Sequence, residues 1–465
     1  MTTSRWRAPV PDVPVTVDRT AAAPIAAQIA RQLRDAVTAG VLTAADRLPS
    51  TRDLAASLGV SRTVVTGAYT QLFAEGWLEG RHGSGTFVAD VAPVQAVISA
   101  RPPAGPPFSA GPPEPIDLLP GVPWTAGIDQ AAWRRAWRAA GTGPVRQMPD
   151  PFGIPELRGE LAGFLRRSRG MAVTTDQILV TRGVLSGLAM LAAALIRPGD
   201  RVGFEEPGYR HARGMLEQAG ATIVPCPVDS HGIITDALPD GLRLVYTTPA
   251  HQYPLGGRLP VRRRQALAEW ARASGAIIVE DDYDSEFRYD VGPLPALRGI
   301  APDVIAYLGT ASKMLTPVLG VGWLIADPGL VARLAASRRR LGERVSEPAQ
   351  QAMAALLASG DLERHIRRAR LEYARRRTAL LDGLGTGDGR FRLLGETAGL
   401  HVVLELPPGR LAEDVAGQAR ERGVDVATLD QFFAGPVATQ GLILGYGAAP
   451  LPQLRRAAAI LRDLL

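Results

Sequence analysis

The chain carries a single lysine. Of its 52 lysine and arginine residues, one is Lys313, in the run Gly309–Lys313, and the other 51 are arginine. Arginine can replace lysine in surface charge, ion pairs and phosphate contacts. It cannot replace a primary amine that attacks a carbonyl, because a guanidinium stays protonated. A lysine kept by chance would fall at a given basic position about one time in 52. Since this one follows a strand-like stretch, we interpret it as a Schiff-base nucleophile.

Three further clusters that could carry chemistry also follow strand-like stretches. Glu280–Asp284 places several carboxylates after an apolar stretch. A buried carboxylate needs a cationic partner, and a protonated pyridine nitrogen is one such partner. Thr181–Leu185 opens a helix whose first amides could bind a phosphate. Glu206–Tyr209 offers an aromatic ring on a turn, which suits stacking on a flat ring or simple packing.

These clusters require strands that end at a common edge. Apolar, β-branched runs alternate with helical stretches through the C-terminal part of the chain. This alternation predicts a mostly parallel sheet with helices on both faces, and ligands bind such sheets at the carboxyl ends of the strands. The predicted strands are 178–180, 201–204, 242–246, 276–279 and 304–308.

The first 90 residues predict a helix-turn-helix. Apolar residues spaced four apart indicate a helix within residues 22–40. Ser50 and Asp53 form a capping-box pattern that begins a second helix, and Gly59 supplies a turn to a third helix that Ser61 can cap. In such a pair the second helix enters the major groove of DNA. The predicted inner-face residues are Ile25, Ile29, Leu33, Val37, Leu54, Leu58, Val65, Ala68 and Leu72.

Two short apolar stretches, 77–79 and 86–88, flank Gly80–Gly85 and predict a hairpin wing with a cationic tip. The string RLPSTRDLAASLGVSRTVVTGAYTQLFAEGWLEGRHGSGTFV (47–88) resembles the winged helix-turn-helix of the GntR family. The resemblance implies that DNA is contacted by Arg52, Ser61, Arg62 and Thr63, with His82 and Gly83 of the wing reaching the backbone or minor groove. The alternative is that the two arginines are solvated helix charges.

Composition sets the organisation around these motifs. A chain of 465 residues is too long for one core, and nine prolines between Arg101 and Pro123 indicate a stiff linker. We predict a DNA-binding domain over 1–90, a linker over 91–115 and an effector domain over 116–465, with a large part to about 340 and a small part from about 375. No apolar run is long enough for a membrane span. The lone Cys226 fits a reducing cytoplasm, and the net charge of +6 permits a nucleic-acid partner.

The C-terminal clusters resemble fold-type I aminotransferases, and beside a GntR head they resemble the MocR group, which includes GabR-like regulators. The resemblance implies an α/β fold with a mixed, mostly parallel sheet, helices on both faces and a smaller C-terminal α+β part. It also implies the cofactor pyridoxal 5'-phosphate. The strings that carry the resemblance are DPFGIPELRGELAGFLRRSRG (150–170), EEPGYRHARGMLEQAGATIVPCPVD (205–229), TPAHQYPLGG (248–257), EDDYDSEFRYDVGPLPALRG (280–299) and GTASKMLTP (309–317).

The same resemblance implies a role for each site residue. Lys313 would form the internal aldimine, Asp281 would pair with the pyridine nitrogen, and Tyr283 would bond the phenolic oxygen. Tyr209 would stack on the ring. The phosphate would be held by two hydroxyls and two backbone amides, those of Thr310, Ser312, Gly183 and Val184.

Five positions depart from the family pattern. Gly320 stands where an arginine that clamps the phosphate is expected, and Ile443 stands where an arginine that grips a substrate carboxylate is expected. Arg182 replaces a small residue beside the phosphate turn, so it could substitute for the missing clamp. The polar pair usual after that turn is replaced by 185–186, Leu-Ser. We therefore expect transaminase activity to be weak or vestigial.

These observations predict a cytoplasmic, homodimeric transcriptional regulator that binds an operator in double-stranded DNA. It would sense a small amine, an amino acid or the cofactor itself through Lys313, and the linker would pass the change to the spacing of two DNA-binding heads. One alternative is an active aminotransferase with a tethered DNA-binding head. The other is a regulator whose effector domain binds no cofactor.

Overall fold

The computed structural model of the chain describes residues 13, 15–81, 85–91, 115–143, 147–292, 294–385 and 389–465. The chain divides into two compact units, Met1–Ser109 and Ala110–Leu465. Most of the predicted linker, residues 92–114, lies outside the described residues. Within the described residues, no helix is both long enough and apolar enough to cross a membrane.

The N-terminal unit is a three-helix domain with a two-stranded wing. Its helices are α1 Ile25–Thr38, α2 Thr51–Leu58 and α3 Arg62–Ala74, and its strands are β1 Leu78–Arg81 and β2 Gly85–Val88, which pair antiparallel. The predicted inner-face residues are buried, except that Ile25 and Leu58 are half-buried. Spacing of apolar residues therefore located the core of this unit.

Local chemistry explains the ends of α2 and α3. The Ser50 hydroxyl accepts a hydrogen bond from the Asp53 amide at 3.2 Å, as the capping pattern predicted. Gly59 ends α2 in the left-handed conformation at φ 62°, which glycine adopts without steric cost. Ser61 stands at the N-cap of α3 but makes no side-chain capping bond. The predicted N-cap position of Ser61 is confirmed, although its exposed side chain accepts no capping hydrogen bond.

The second unit is built on an eight-stranded mixed sheet. The strand order is β4-β11-β10-β9-β8-β5-β6-β7. The inner pairs β10–β9, β9–β8, β8–β5 and β5–β6 are parallel, whereas β11 runs antiparallel to both of its neighbours. These strands are β4 Ile178–Thr181, β5 Arg201–Glu206, β6 Thr222–Asp229, β7 Gly232–Ile233, β8 Leu244–Thr247, β9 Ile277–Asp282, β10 Ile305–Thr310 and β11 Gly322–Ile325.

Helices cover both faces of this sheet. Alternate residues along one strand point to opposite faces. In β8, Leu244 packs in a cluster with α6, α7 and α9, whereas Val245 packs in a cluster with α8. The helices of the unit are α4 Gln130–Ala140, α5 Pro155–Arg169, α6 Val184–Leu195, α7 Arg210–Gln218, α8 Val261–Ser274, α9 Pro328–Leu341, α10 Glu347–Ala358, α11 Asp361–Leu384, α12 Ala412–Glu421 and α13 Leu451–Leu464.

A smaller C-terminal sheet, in the order β12-β13-β16-β15, completes the unit. Two further short strands, β3 and β14, pair parallel and join the start of the unit to its C-terminal part. The strands outside the large sheet are β3 Ile116–Asp117, β12 Arg392–Leu394, β13 His401–Glu405, β14 Val424–Asp425, β15 Ala427–Thr428 and β16 Gly441–Gly445. The α/β architecture with a smaller C-terminal part is as predicted.

Candidate functional site

A cavity of about 580 Å³ lies at the carboxyl ends of the central strands. The strands β4, β5, β8, β9 and β10 run in the same direction, so the segments after them meet at one edge of the sheet. All eight residues predicted to hold the cofactor line this cavity: Gly183, Val184, Tyr209, Asp281, Tyr283, Thr310, Ser312 and Lys313.

Lys313 follows β10 and extends its amine into the cavity. Its Nζ donates a hydrogen bond to the carbonyl of Gly121 at 2.5 Å. Burial lowers the pKa of Lys313, although the carboxylates of Asp284 and Asp281 oppose this shift. Lowering the pKa increases the fraction of unprotonated amine, which is the nucleophilic form. A Cβ atom at Gly121 would lie 2.8 Å from Nζ, so glycine leaves room for the amine there.

Asp281 is buried at the end of β9, and one of its oxygens has no partner. Tyr246 donates its hydroxyl hydrogen to Oδ2, whereas no described residue donates a hydrogen bond to the buried Oδ1. Burial raises the pKa of Asp281 to about 7. A cation or an N–H donor placed at Oδ1 would stabilise this carboxylate.

Each of the three neighbouring carboxylates has at least one partner within the protein. Glu280 accepts hydrogen bonds from two backbone amides at 2.7 and 2.8 Å. Asp282 pairs with the buried Arg169 at 2.6 Å, and Asp284 lies 2.9 Å from Nδ1 of His251. Oδ1 of Asp282 is also buried without a hydrogen-bond partner, but among the described residues Asp282 does not line the cavity. Of these two carboxylates, Asp281 is the one placed to bind a ligand in the cavity.

Aromatic side chains surround the amine and Asp281. The hydroxyl of Tyr283 lies 2.9 Å from Nδ1 of His251, so Asp284, His251 and Tyr283 form one buried hydrogen-bonded group. Tyr209 packs edge to face on Tyr253, with ring centroids 5.7 Å apart, and burial raises the pKa of Tyr209 to about 12. These rings form a wall on which a flat heterocycle can stack.

The opposite end of the cavity is suited to an anion. Gly183 has φ 135°, a conformation that favours glycine, and it turns the chain from β4 into α6. The helix begins without a side-chain cap, so its first amides and the helix dipole face the cavity. Beside it, the Thr310 and Ser312 hydroxyls lie 2.9 Å apart. This arrangement can hold a phosphate.

The departures from the family pattern also have clear positions. Arg182 lines the phosphate end and pairs with Glu343 at 3.1 Å. Gly320 ends a short 3-10 turn in the left-handed conformation at φ 60°. Ile443 is fully buried in β16, in an apolar cluster with Val403, Ala427, Leu429 and Phe432. No cation stands at position 443 to meet a substrate carboxylate.

The predicted DNA contacts of the head form a separate surface. Arg52 is exposed on the first turn of α2, and Ser61, Arg62 and Thr63 are exposed at the start of α3. Nε of Arg62 donates a hydrogen bond to the Thr51 hydroxyl at 3.3 Å, so one end of its guanidinium is oriented by α2. His82 and Gly83, which were predicted to contact DNA from the wing, lie outside the described residues.

Sequence reasoning missed several site residues. Gly121 holds the amine from 192 positions away along the chain, and Tyr246 holds Asp281 from the neighbouring strand. Both contacts arise from tertiary packing and leave no local pattern. His251 and Asp284 lie within the strings that carry the aminotransferase resemblance, so their polar character after buried strands was a usable signal.

Comparison with known proteins agrees with this geometry. Residues 25–88 match the family of bacterial regulatory proteins of the gntR type, and residues 123–434 match aminotransferase class I and II. A crystal structure of an archaeal alanine:glyoxylate aminotransferase superposes with a TM-score of 0.71 at 28% identity, covering 76% of this chain and 90% of that one. A winged helix-turn-helix joined to this fold defines a regulator whose cofactor is pyridoxal 5'-phosphate.

Full-length relatives combine the same two domains. The HTH-type pyridoxine biosynthesis transcriptional regulator PdxR of Corynebacterium glutamicum is 38% identical over 97% of this chain and 98% of its own. The probable rhizopine catabolism regulatory protein MocR of Rhizobium meliloti is 33% identical over 97% and 95%. The chain belongs to the MocR-like group of GntR-family transcriptional regulators, and it binds DNA through its N-terminal unit.

Proposed function

We propose that this regulator holds pyridoxal 5'-phosphate on Lys313 and changes its DNA binding as that site is filled. The cofactor, when bound, supplies an aldehyde and an electron-withdrawing ring. Lys313 provides the amine, which Gly121 positions and whose pKa burial lowers. Asp281 pairs with the ring nitrogen, and Tyr283 donates to the phenolic oxygen. Tyr209 stacks on the ring, while Gly183, Val184, Thr310 and Ser312 bind the phosphate.

The observation that carries this proposal is the unpartnered oxygen of Asp281. Oδ1 of Asp281 is buried and has no hydrogen-bond partner among the described residues, and Asp281 lines the cavity. Oδ1 of Asp282 is also unpartnered, but the other oxygen of Asp282 pairs with Arg169 and the residue does not line the cavity. Leaving a buried charged group unpaired costs on the order of several kcal/mol. A ring nitrogen that carries a proton would offset this penalty, so the chemistry of Asp281 fits the pyridine nitrogen of the cofactor.

We propose that the effector is the cofactor itself rather than an amino acid. Ile443 leaves the substrate end without the arginine that would bind a carboxylate, and its apolar neighbours would make a charge there costly. The relative PdxR is named for pyridoxine biosynthesis, which supports a regulator that responds to the level of the cofactor. A small amine that lacks a carboxylate is the remaining candidate.

On the DNA side, we propose that Arg52, Ser61, Arg62 and Thr63 contact the operator, with His82 and Gly83 of the wing on the backbone or minor groove. The first four residues lie at the N-termini of α2 and α3, which suits the helix-turn-helix docking mode. We further propose that the protein acts in the cytoplasm as a homodimer, so that filling the cavities alters the spacing of two heads.

Visible absorption of the purified protein tests this function. Titration with pyridoxal 5'-phosphate should produce the absorption band of a lysine-bound cofactor. Borohydride should bleach this band and attach the cofactor permanently to the peptide that contains Lys313, where mass spectrometry detects it. Binding to the promoter of its own or a neighbouring gene should change on adding the cofactor alone. An absent band would overturn the proposal, and steady turnover of an amino donor and a keto acceptor would instead establish an aminotransferase.

A further inference from the structure

The phosphate end of the cavity lacks a built-in cation at the expected place. Position 320 is a glycine in the left-handed conformation, with open space where a Cβ atom would stand. Helix α6 supplies amides, and Thr310 and Ser312 supply hydroxyls, but these groups carry no full positive charge. A phosphate near neutral pH carries between one and two negative charges, so a nearby cation would strengthen its binding.

Arg182 stands beside this anion site. It lies directly before Gly183, lines the cavity, and has a side chain that is 61% exposed. Its Nε faces a carboxylate oxygen of Glu343 at 3.1 Å. Among the described residues, Glu343 is the one ion-pair partner of Arg182. The guanidinium is therefore next to the anion site and only partly engaged.

We propose that Arg182 supplies the cation for the cofactor's phosphate in place of an arginine at position 320, and that it exchanges Glu343 for the phosphate when the cofactor binds. This inference rests on the proposed function and specifies how the site recognises the phosphorylated form. Arginine suits the role because its planar fork can donate two hydrogen bonds to one phosphate.

The surroundings of Glu343 lower the free energy needed to separate it from Arg182. Its second carboxylate oxygen pairs with Nε of the buried Arg338 at 2.6 Å, and the Ser186 hydroxyl, in the first turn of α6, lies 3.4 Å from its first oxygen. Glu343 therefore keeps an ion pair after Arg182 leaves it. Since Arg182 is largely exposed and must first give up a partner, it anchors the phosphate weakly and reversibly, as a sensor of cofactor level requires.

Two ligands that differ only in the phosphate test the inference. Arg182→Ala should weaken binding of pyridoxal 5'-phosphate by about tenfold, the effect of losing a charged hydrogen bond, and should leave binding of unphosphorylated pyridoxal unchanged. Arg333→Ala removes the same charge from an exposed site on α9 that does not line the cavity, and it should change neither affinity. Absorbance titration measures each dissociation constant, and thermal melting checks that each variant is folded.

Glu343→Gln tests the exchange itself. Because the carboxylate competes with the phosphate for Arg182, this variant should bind the phosphorylated ligand a few-fold more tightly and pyridoxal as before. An equal loss of both ligands in Arg182→Ala, or no loss of either, would overturn the role of Arg182. Weaker phosphate binding in Glu343→Gln would overturn the exchange. If the parent protein binds neither aldehyde on Lys313, the proposed function fails and this inference fails with it.

Discussion

The residues proposed to act in the two units differ in burial. In the head, Arg52, Ser61, Arg62 and Thr63 are exposed on helix ends. In the large unit, Asp281 and its neighbours are buried and tied to one another across strands. An exposed residue that reads a large ligand contributes to binding and little to folding. A buried residue has a pKa and a position set by the fold, so its replacement changes stability and function together.

The cofactor cavity contains both kinds of site. Its ring end is buried, with Asp281 only 3% exposed. In our proposal its phosphate end depends on Arg182, whose side chain is 61% exposed. The groups that determine covalent capture are therefore fixed by the fold, whereas the group that sets affinity for the phosphate is adjustable. This division suits a protein that must bind its ligand and release it.

Of the variants that test this comparison, Lys313→Arg should have the largest effect. The substitution keeps the positive charge and introduces the residue that stands at the other 51 basic positions. We expect complete loss of the lysine-bound absorption band and of the response to effector, since a guanidinium forms no Schiff base. The head is a compact unit of its own, so affinity for the promoter should equal that of the cofactor-free parent. Absorbance titration and DNA-binding anisotropy measure the two effects.

The result depends on Lys313 being the only side-chain amine in the chain. The N-terminal amine provides a control, because peptide mapping after borohydride reduction distinguishes the two positions. A retained band on any internal peptide of Lys313→Arg would contradict the cofactor assignment. Loss of promoter binding in the same variant would contradict the separation of exposed and buried functions.

Asp281→Asn tests the ring end, where binding and stability should change in opposite directions. In the cofactor-free protein, burial raises the pKa of Asp281 from 3.8 to about 7. Between these values the folded state holds a proton that the unfolded chain has released, so this group makes stability fall as pH rises through the window. The variant should gain up to roughly 4 kcal/mol over the parent at pH 8 and much less at pH 5.

Cofactor binding should move the other way, weakening by about a hundredfold, since an amide cannot pair with a charged ring nitrogen as a carboxylate does. Thermal melting of cofactor-free protein at both pH values and absorbance titration measure these effects. A stability difference that does not grow from pH 5 to pH 8 would show that Asp281 does not carry the buried proton.

Sequence predicted the elements of the fold more fully than the contacts between them. The period of apolar residues located the head helices, and buried runs located five strands of the large sheet, because both signals are local. Strand order is not local: β11 enters antiparallel between β4 and β10. The contact of Arg182 with Glu343 joins residues 161 positions apart, so the sequence showed an arginine near a phosphate turn but not its partner.

Arg62→Ala tests the exposed DNA-binding surface of the head. If Arg62 reads a base, specific promoter affinity should fall by about 1–3 kcal/mol while stability stays nearly constant. Arg31→Ala, which removes an exposed charge from α1, is the matched control and should have a smaller effect. Anisotropy with the promoter and with a scrambled duplex measures the loss. Unchanged affinity for the promoter would end the assignment of Arg62 as a DNA contact.

Alanine substitution of the two serines at helix N-caps should have the smallest effect on stability, and the two variants should differ. Ser50 accepts a hydrogen bond from the Asp53 amide, so Ser50→Ala should cost about 1 kcal/mol of head stability. Ser61 makes no capping bond, so Ser61→Ala should change stability by less than about 0.5 kcal/mol. It should nevertheless weaken promoter binding, because its exposed hydroxyl is assigned to DNA. Melting of the head and anisotropy separate the two effects, and equal stability losses would mean that Ser61 caps α3 in solution.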